Sequence, residues 1–151
     1  MRVYRVTKTK WAGDLDGTGS ARSGGRWNSP GVPVCYTALD ADTALEELLG
    51  SGVPRSVLRQ LYCLVEIEVE GRSDIRMPRL ASMPEDWDQV PFGVATQRFG
   101  DALLREGALA IRVPSTRRKE GVNYVLNPRH PEFQERVKVV SVRPMADVLG
   151  E

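Results

Sequence analysis

The sequence predicts a mixed α+β domain, and three observations carry that reading. Five or six segments alternate apolar and polar residues as strands do. Two or three segments have helical spacing and fall irregularly among the strands. Long loops, rather than regular helices, separate the strands, which argues against a doubly wound fold. At 151 residues the chain is read as a single domain, 1–151, long enough to bury a core without staples.

Arg2 to Val6 reads as the first strand, and Thr7 to Gly25 as a long Gly/Ser/Asp-rich loop. A loop of that length in a compact domain favours a functional role over a plain connector. Pro33 to Thr37 reads as a second strand. Asp40 to Leu49 reads as a helix capped by Asp40 or Asp42, with Thr43 and Glu46 at capping-box spacing and Gly50 as the stop. Gln60 to Val69 is the clearest strand, because Leu61, Cys63, Val65, Ile67 and Val69 fall on one face. The proline-bearing stretch Arg76 to Pro91 reads as irregular surface. Thr96 to Arg105 reads as a helix ended by Gly107, followed by strands at Ala108 to Val113 and Asn123 to Leu126. A turn at Asn127 to Pro131, a strand at Val137 to Val142 and a short helix at Ala146 to Leu149 complete the chain.

Composition excludes several classes of function. The chain has 21 basic and 20 acidic residues and a net charge of +1, so nothing global draws it to nucleic acid or an anionic membrane. That balance leaves room for a local basic pocket. No apolar run approaches the roughly 20 residues of a membrane span, and Met1 to Arg5 lacks the apolar region of a signal peptide. These features read as a soluble cytoplasmic protein. Cys35 and Cys63 lie in apolar strand-like runs and read as buried reduced thiols. With one histidine, His130, in a turn, neither a metal site nor histidine-based catalysis is expected.

The most informative segment is Gly24-Gly25-Arg26-Trp27-Asn28-Ser29-Pro30-Gly31, which runs into the apolar stretch ending at Tyr36 and Thr37. Adjacent glycines permit backbone conformations closed to other residues and a close approach by a ligand. Arg26 offers a planar fork of donors suited to phosphate or carboxylate. Neither a phosphate loop nor a dinucleotide fingerprint is present. Glu46 and Glu47 interrupt the apolar stripe of their helix, so one of the two points inward or sideways. Ser115 stands at the tip of a strand, where binding residues tend to sit. The run Arg117-Arg118-Lys119 reads as a solvated loop or as a contact for phosphate or an acidic partner. Asn123 and Asn127 flank another strand, and Asn127 precedes a proline, where it commonly serves its own turn.

Together these segments resemble the RES domain, the toxin half of Xre–RES toxin–antitoxin pairs. The likeness is carried by Tyr4-Arg5, the Gly24–Gly31 loop, Val34-Cys35-Tyr36-Thr37, Ala44-Leu45-Glu46, Val113-Pro114-Ser115, Glu120 with Asn123, and Leu126-Asn127-Pro128 with His130-Pro131. It spans residue 4 to about residue 133, and the order and spacing of the pieces make it specific. Gly50 departs from the family, whose members often carry a polar residue there.

The resemblance implies a fold like that of ADP-ribosyltransferases, with a mixed sheet and a cleft for NAD+. It implies a growth-arresting toxin that destroys NAD+ by hydrolysis or phosphorolysis; the alternative is a protein ADP-ribosyltransferase, and a more distant one an RNA-directed module using Arg117 to Lys119. NAD+ would be a substrate rather than a bound prosthetic group, with inorganic phosphate as a possible co-substrate. The implied partner is an Xre-type helix-turn-helix antitoxin that blocks the cleft in a hetero-oligomer. Arginine, glutamate and serine name the family, and Arg26 (or alternatively Arg5), Glu46 and Ser115 match them here. On this reading Arg26, Tyr36 and Glu46 are catalytic. Arg5, Trp27, Asn28, Ser115, Asn123 and Asn127 bind the dinucleotide. The chemistry suits such a set. Nicotinamide departs as a neutral pyridine and needs no general acid, while one carboxylate near the ribose stabilises the oxocarbenium-like transition state.

Overall fold

The structure, a computed structural model, describes residues 1–150. Seven strands form one mixed sheet: β1 (Arg2–Lys8), β2 (Cys35–Ala38), β3 (Tyr62–Val69), β4 (Ile75–Arg76), β5 (Ala110–Pro114), β6 (Val122–Leu126) and β7 (Val137–Pro144). Their order is β4-β5-β6-β2-β1-β3-β7, parallel only between β4 and β5. Six helices accompany them: α1 (Thr18–Ser23), α2 (Ala41–Gly50), α3 (Arg55–Leu61), α4 (Val94–Arg105), α5 (Phe133–Arg136) and α6 (Met145–Leu149). The expected α+β class with a mixed sheet is therefore what the chain adopts. No helix among the described residues is long and apolar enough to cross a membrane.

The strands form where alternation places apolar side chains on both faces of the sheet. On β5 and β6, Ala110, Tyr124 and Leu126 join Val3, Cys35, Val65 and Ile67 in one core cluster. Their neighbours Ile111, Val113 and Val125 face the other way, into a cluster with Trp27, Val34 and Leu104. Both cysteines are buried and free.

One irregularity of the sheet creates the site. β1 and β3 pair continuously from Arg2↔Glu68 to Lys8↔Tyr62. β1 and β2 share a single register pair among the described residues, Tyr4↔Ala38. Beyond that pair the two strands part, and the sheet forks between residues 5–7 of β1 and 35–37 of β2. α2 packs against both strands and closes one side of the fork.

Several local expectations need correction. The supposed loop Thr7 to Gly25 holds a 3-10 turn, Thr9–Trp11, and α1. Asp16 starts α1 by accepting from the Thr18 N–H at 2.9 Å, a polar local bond with no apolar periodicity to announce it. α2 has no capping box: Asp40 alone accepts from the Thr43 N–H at 2.7 Å. Gly50 belongs to the helix, and the left-handed glycine after it is Gly52, φ 96°. Residues 60 and 61 belong to α3 rather than β3, and Leu61 is 53% exposed.

α4 carries the feature least visible in the sequence. A Cβ on Gly100 would lie 1.9 Å from the Trp27 carbonyl oxygen, so only glycine lets the helix rest on that backbone. Gly100→Ala is expected to cost about 1–3 kcal/mol through overpacking, although alanine is the better helix former. Chemical denaturation of the two proteins checks this; equal midpoints would contradict the packing described.

Candidate functional site

The fork opens into a cavity of about 730 Å³, a size ordinary for small-molecule sites. β1 supplies Tyr4 and Arg5, β2 supplies Tyr36 and Thr37, and α2 supplies Ala44, Glu47 and Leu48. The segment from Trp11 to Arg22 forms the opposite wall, and Asn123 of β6 reaches in from beneath.

The lining mixes several chemistries. It includes Trp11, 48% exposed, and Arg5, whose Nη1 donates to the Asp14 carbonyl at 2.5 Å. Asp16 lies on this wall, and its carboxyl is held below the usual range by the Thr18 backbone N–H and hydroxyl. Glu47 also faces the cavity. Its Oε2 accepts from the Ser115 hydroxyl at 2.8 Å. The same Ser115 oxygen accepts from the Arg117 and Arg118 N–H groups at 3.1 and 3.2 Å, which fixes the hydroxyl as donor to the carboxylate. Cys35 also lines the cavity, but burial pushes its thiol up to about 11, so it stays a neutral thiol at pH 7. His130 lies outside the cavity, where its Nε2 meets an Asp74 carboxylate oxygen at 2.8 Å.

The Gly24–Gly31 loop is a scaffold beside this cavity. The Tyr36 hydroxyl donates to Asn28 Oδ1 at 2.5 Å and accepts from the Trp27 N–H at 3.0 Å. Burial pushes the phenol's pKa up, so it remains a neutral hydroxyl able to make both bonds. Gly25 is required because a Cβ there would lie 2.6 Å from that hydroxyl. The close approach expected at the paired glycines is thus made by Tyr36. α4 clasps the same loop: Gln97 Nε2 donates to the Gly25 carbonyl at 3.1 Å, and Asp101 accepts from the Ser29 N–H and hydroxyl at 3.0 and 2.5 Å.

A model of the RES domain family matches residues 2–147 of this chain. The chain belongs to the RES domain family. It is 32% identical over 148 residues to a protein named Toxin Res from Yersinia enterocolitica, covering 97% of this chain and 95% of that one. It is 33% identical to a protein of Sphingobium sp. named Prs ADP-ribosylating toxin, over 87% of this chain and 83% of that one. Among solved structures, that of the M. tuberculosis MbcT-MbcA toxin-antitoxin complex superposes with a TM-score of 0.74 at 22% identity, covering 93% of this chain and 81% of that chain.

Within this RES domain, the residues expected from the sequence separate into three groups. Arg5, Tyr36 and Asn123 line the cavity. Ser115 and Arg26 stand beside it: Ser115 holds Glu47, and Arg26 Nη1 donates to the Trp87 and Gln89 carbonyls at 2.8 Å each. Trp27, Asn28 and Asn127 are structural. Trp27 is core, 3% exposed. Asn28 Nδ2 donates to the Ser20 and Val32 carbonyls. Asn127 Nδ2 donates to the Ala108 carbonyl at 2.8 Å.

Glu46 is a correction. It is exposed, and its neighbour Glu47 faces the cavity. One residue of helix is about 100° of rotation, so the two carboxylates cannot share a face. The sequence gives no sign of Trp11, Asp16 or Arg22 as lining residues, and it leaves open which of Glu46 and Glu47 turns inward. Asp101 was legible in principle, as a carboxylate inside the apolar stripe of α4.

Tyr36→Phe leaves Asn28 Oδ1 and the Trp27 N–H without their partner in a buried setting. A loss of about 1–3 kcal/mol is expected in urea unfolding. Unchanged stability would show that water replaces the phenol at no cost.

Proposed function

We propose that this RES domain is the toxin of a toxin–antitoxin pair and cleaves the nicotinamide–ribose bond of NAD+ in the forked cavity. One observation carries the reading: the Glu47 carboxylate, held by Ser115, faces a cavity whose lining also offers arginine, aromatic and carboxylate groups. Those groups match the parts of a dinucleotide. Glu47 lies beside the nicotinamide ribose and stabilises positive charge as the glycosidic bond breaks. Nicotinamide leaves as a neutral ring, so no acid is needed, in keeping with a lone histidine outside the cavity. Arg5 and Arg22 serve the diphosphate by charge-assisted bonds. Trp11 offers its ring to the purine, and Asp16 accepts from ribose hydroxyls. Asn123, whose Nδ2 donates to the Thr37 carbonyl at 3.1 Å, keeps its amide oxygen toward the substrate.

The names of the Yersinia and Sphingobium relatives support the toxin assignment. The partner is an antitoxin of the Xre helix-turn-helix kind that covers the cleft. Water or inorganic phosphate takes the ribosyl carbon in this reading. A second reading, in which a protein side chain takes it, is favoured by the Sphingobium relative's name, Prs ADP-ribosylating toxin.

Nicotinamide release from NAD+ by the purified protein, with products weighed by mass spectrometry, tests the whole scheme. ADP-ribose or its phosphate is expected, whereas intact NAD+ that is consumed only beside a protein acceptor supports the second reading. Glu47→Gln is expected to lower kcat by about 10²–10³-fold, and Glu46→Gln to change it less than about twofold for an exposed side chain. The reverse pattern refutes the choice of carboxylate. Trp11→Ala should raise KM for NAD+ about tenfold, the loss of one stacking contact, and leave nicotinamide mononucleotide unaffected. Equal effects on both substrates would remove Trp11 from the purine end.

A further inference from the structure

The charges that line the cavity are few and unequal. Among the described residues two guanidinium groups, Arg5 and Arg22, stand against three carboxylates, Asp14, Asp16 and Glu47. Two cations match the two backbone phosphates of NAD+. NADP+ differs by a third phosphate, on the 2′ carbon of its adenine ribose. A phosphate monoester brings about 1.5–2 further negative charges at pH 7. For that group the described lining holds no third cation, only carboxylates.

The wall that would meet the adenine ribose can be placed from the sheet register. Trp11, Asp14, Asp16 and Arg22 line the cavity from one stretch of chain. Ala12 and Leu15, in the same stretch, pack against the core cluster that contains Cys35 and Val65. Val65 is the cross-strand partner of Arg5, so the Arg5 side chain leaves the sheet on that face. The bond from Arg5 Nη1 to the Asp14 carbonyl ties strand and stretch together. Tyr36 pairs with Val125, a member of the other cluster, and leaves the sheet on the opposite face. The stretch and the strand it rests on therefore gather an aromatic ring, two guanidinium groups and Asp16. Those are a partner for the purine, two for the diphosphate and one for the diol of the ribose between them.

The Asp16 carboxylate is fixed from one side only. Its Oδ1 accepts from the Thr18 N–H at 2.9 Å and from the Thr18 hydroxyl at 2.7 Å. The Asp16 N–H donates to Asp14 Oδ1 at 3.1 Å, which brings a second carboxylate to the same turn. Among the described residues Asp16 Oδ2 has no hydrogen bond and the side chain no ion pair. The two bonds from Thr18 favour the ionised form and hold its pKa below the usual range. A charged, oriented carboxylate with one free oxygen accepts from a ribose hydroxyl and repels a phosphate in the same place.

We propose that Asp16 makes this cavity select NAD+ over NADP+: its free oxygen accepts from the 2′-hydroxyl of the adenine ribose and rejects a 2′-phosphate there. The selection works through a repulsive element as well as an attractive one. It rests on the NAD+ reading for how the dinucleotide lies in the cavity, and is independent of whether the glycosidic bond is cleaved.

ADP-ribose and ADP-ribose 2′-phosphate test it, titrated by calorimetry into the unmodified protein. Neither carries nicotinamide, so binding is read without turnover. ADP-ribose is expected to bind at least about tenfold tighter, because its competitor meets a like charge and forfeits a hydrogen bond. Asp16→Asn keeps an oxygen for Thr18 and removes the charge. It should narrow the preference to about threefold or less, chiefly by tightening the 2′-phosphate. Asp14→Asn should change the preference less than about twofold, its carboxylate being turned to the Asp16 N–H. A disturbed fold would weaken both ligands together and leave their ratio as it was. Equal affinities in the unmodified protein overturn the proposal, as does a ratio that Asp16→Asn leaves unchanged or that Asp14→Asn moves as far. Failure of both ligands to bind overturns it too.

Consumption assays separate its fate from that of the cleavage reading. Selective binding of ADP-ribose with no NAD+ consumed sustains Asp16 as the selector and refutes cleavage. NAD+ and NADP+ consumed with equal kcat/KM sustains cleavage and overturns the selection.

Discussion

The Tyr36 hydroxyl is the interaction on which the site's surroundings depend. It lies in the gap left by Gly25 and ties the Gly24–Gly31 loop to β2 through the Trp27 N–H and Asn28 Oδ1. Asn28 gives its amide N–H groups to the Ser20 and Val32 carbonyls while its oxygen accepts from the phenol. Ser20 in turn bonds the Val34 backbone, which sets α1 against the start of β2 and builds the far wall of the cavity. Arg26 emerges from the same loop, so the direction of its charge follows from the phenol's position. A buried, fully bonded hydroxyl of this kind is costly to disturb. It places Tyr36 among the supports of the site, whatever its ring also does within the cavity.

The carboxylate is organised by a different principle. Among the described residues Glu47 forms no ion pair. A neutral hydroxyl from a separate strand end fixes it instead, and two backbone N–H groups fix that hydroxyl. A salt bridge would have set the carboxylate's charge against a cation and weakened its field at a ribose. A hydroxyl donor orients it without an ion pair, which suits a group required to face developing positive charge.

Much of the fold could be read from the chain because it follows from periodicity. Cys63, Val65, Ile67 and Val69 alternate and are buried as expected, and the resemblance carried by the glycine loop led to the right family. What escaped the sequence lacks a periodic signal. α1 begins after the Asp16 turn in a polar stretch, and Gly100 looks like a poor helix residue until its contact with Trp27 is seen. Among the site residues expected from the sequence, Arg5, Tyr36 and Asn123 line the cavity. Asn28, Trp27 and Asn127 were misjudged because a polar or aromatic residue beside a ligand-like loop reads the same whether it faces the ligand or supports the loop. Glu46 and Glu47 differ only in helical phase, and phase depends on where the helix starts and which face packs on β1.

The single register pair joining β1 to β2 has a further consequence. The width of this cleft belongs to the backbone path, set by how far two strands of one sheet diverge. Its chemical lining belongs to loops and helix faces added from either side. Dimensions and selectivity are thus inherited separately: relatives can exchange the lining residues freely while keeping the aperture, and the aperture changes only when the twist of the sheet does. Such a division explains how two chains can share an architecture at 22% identity.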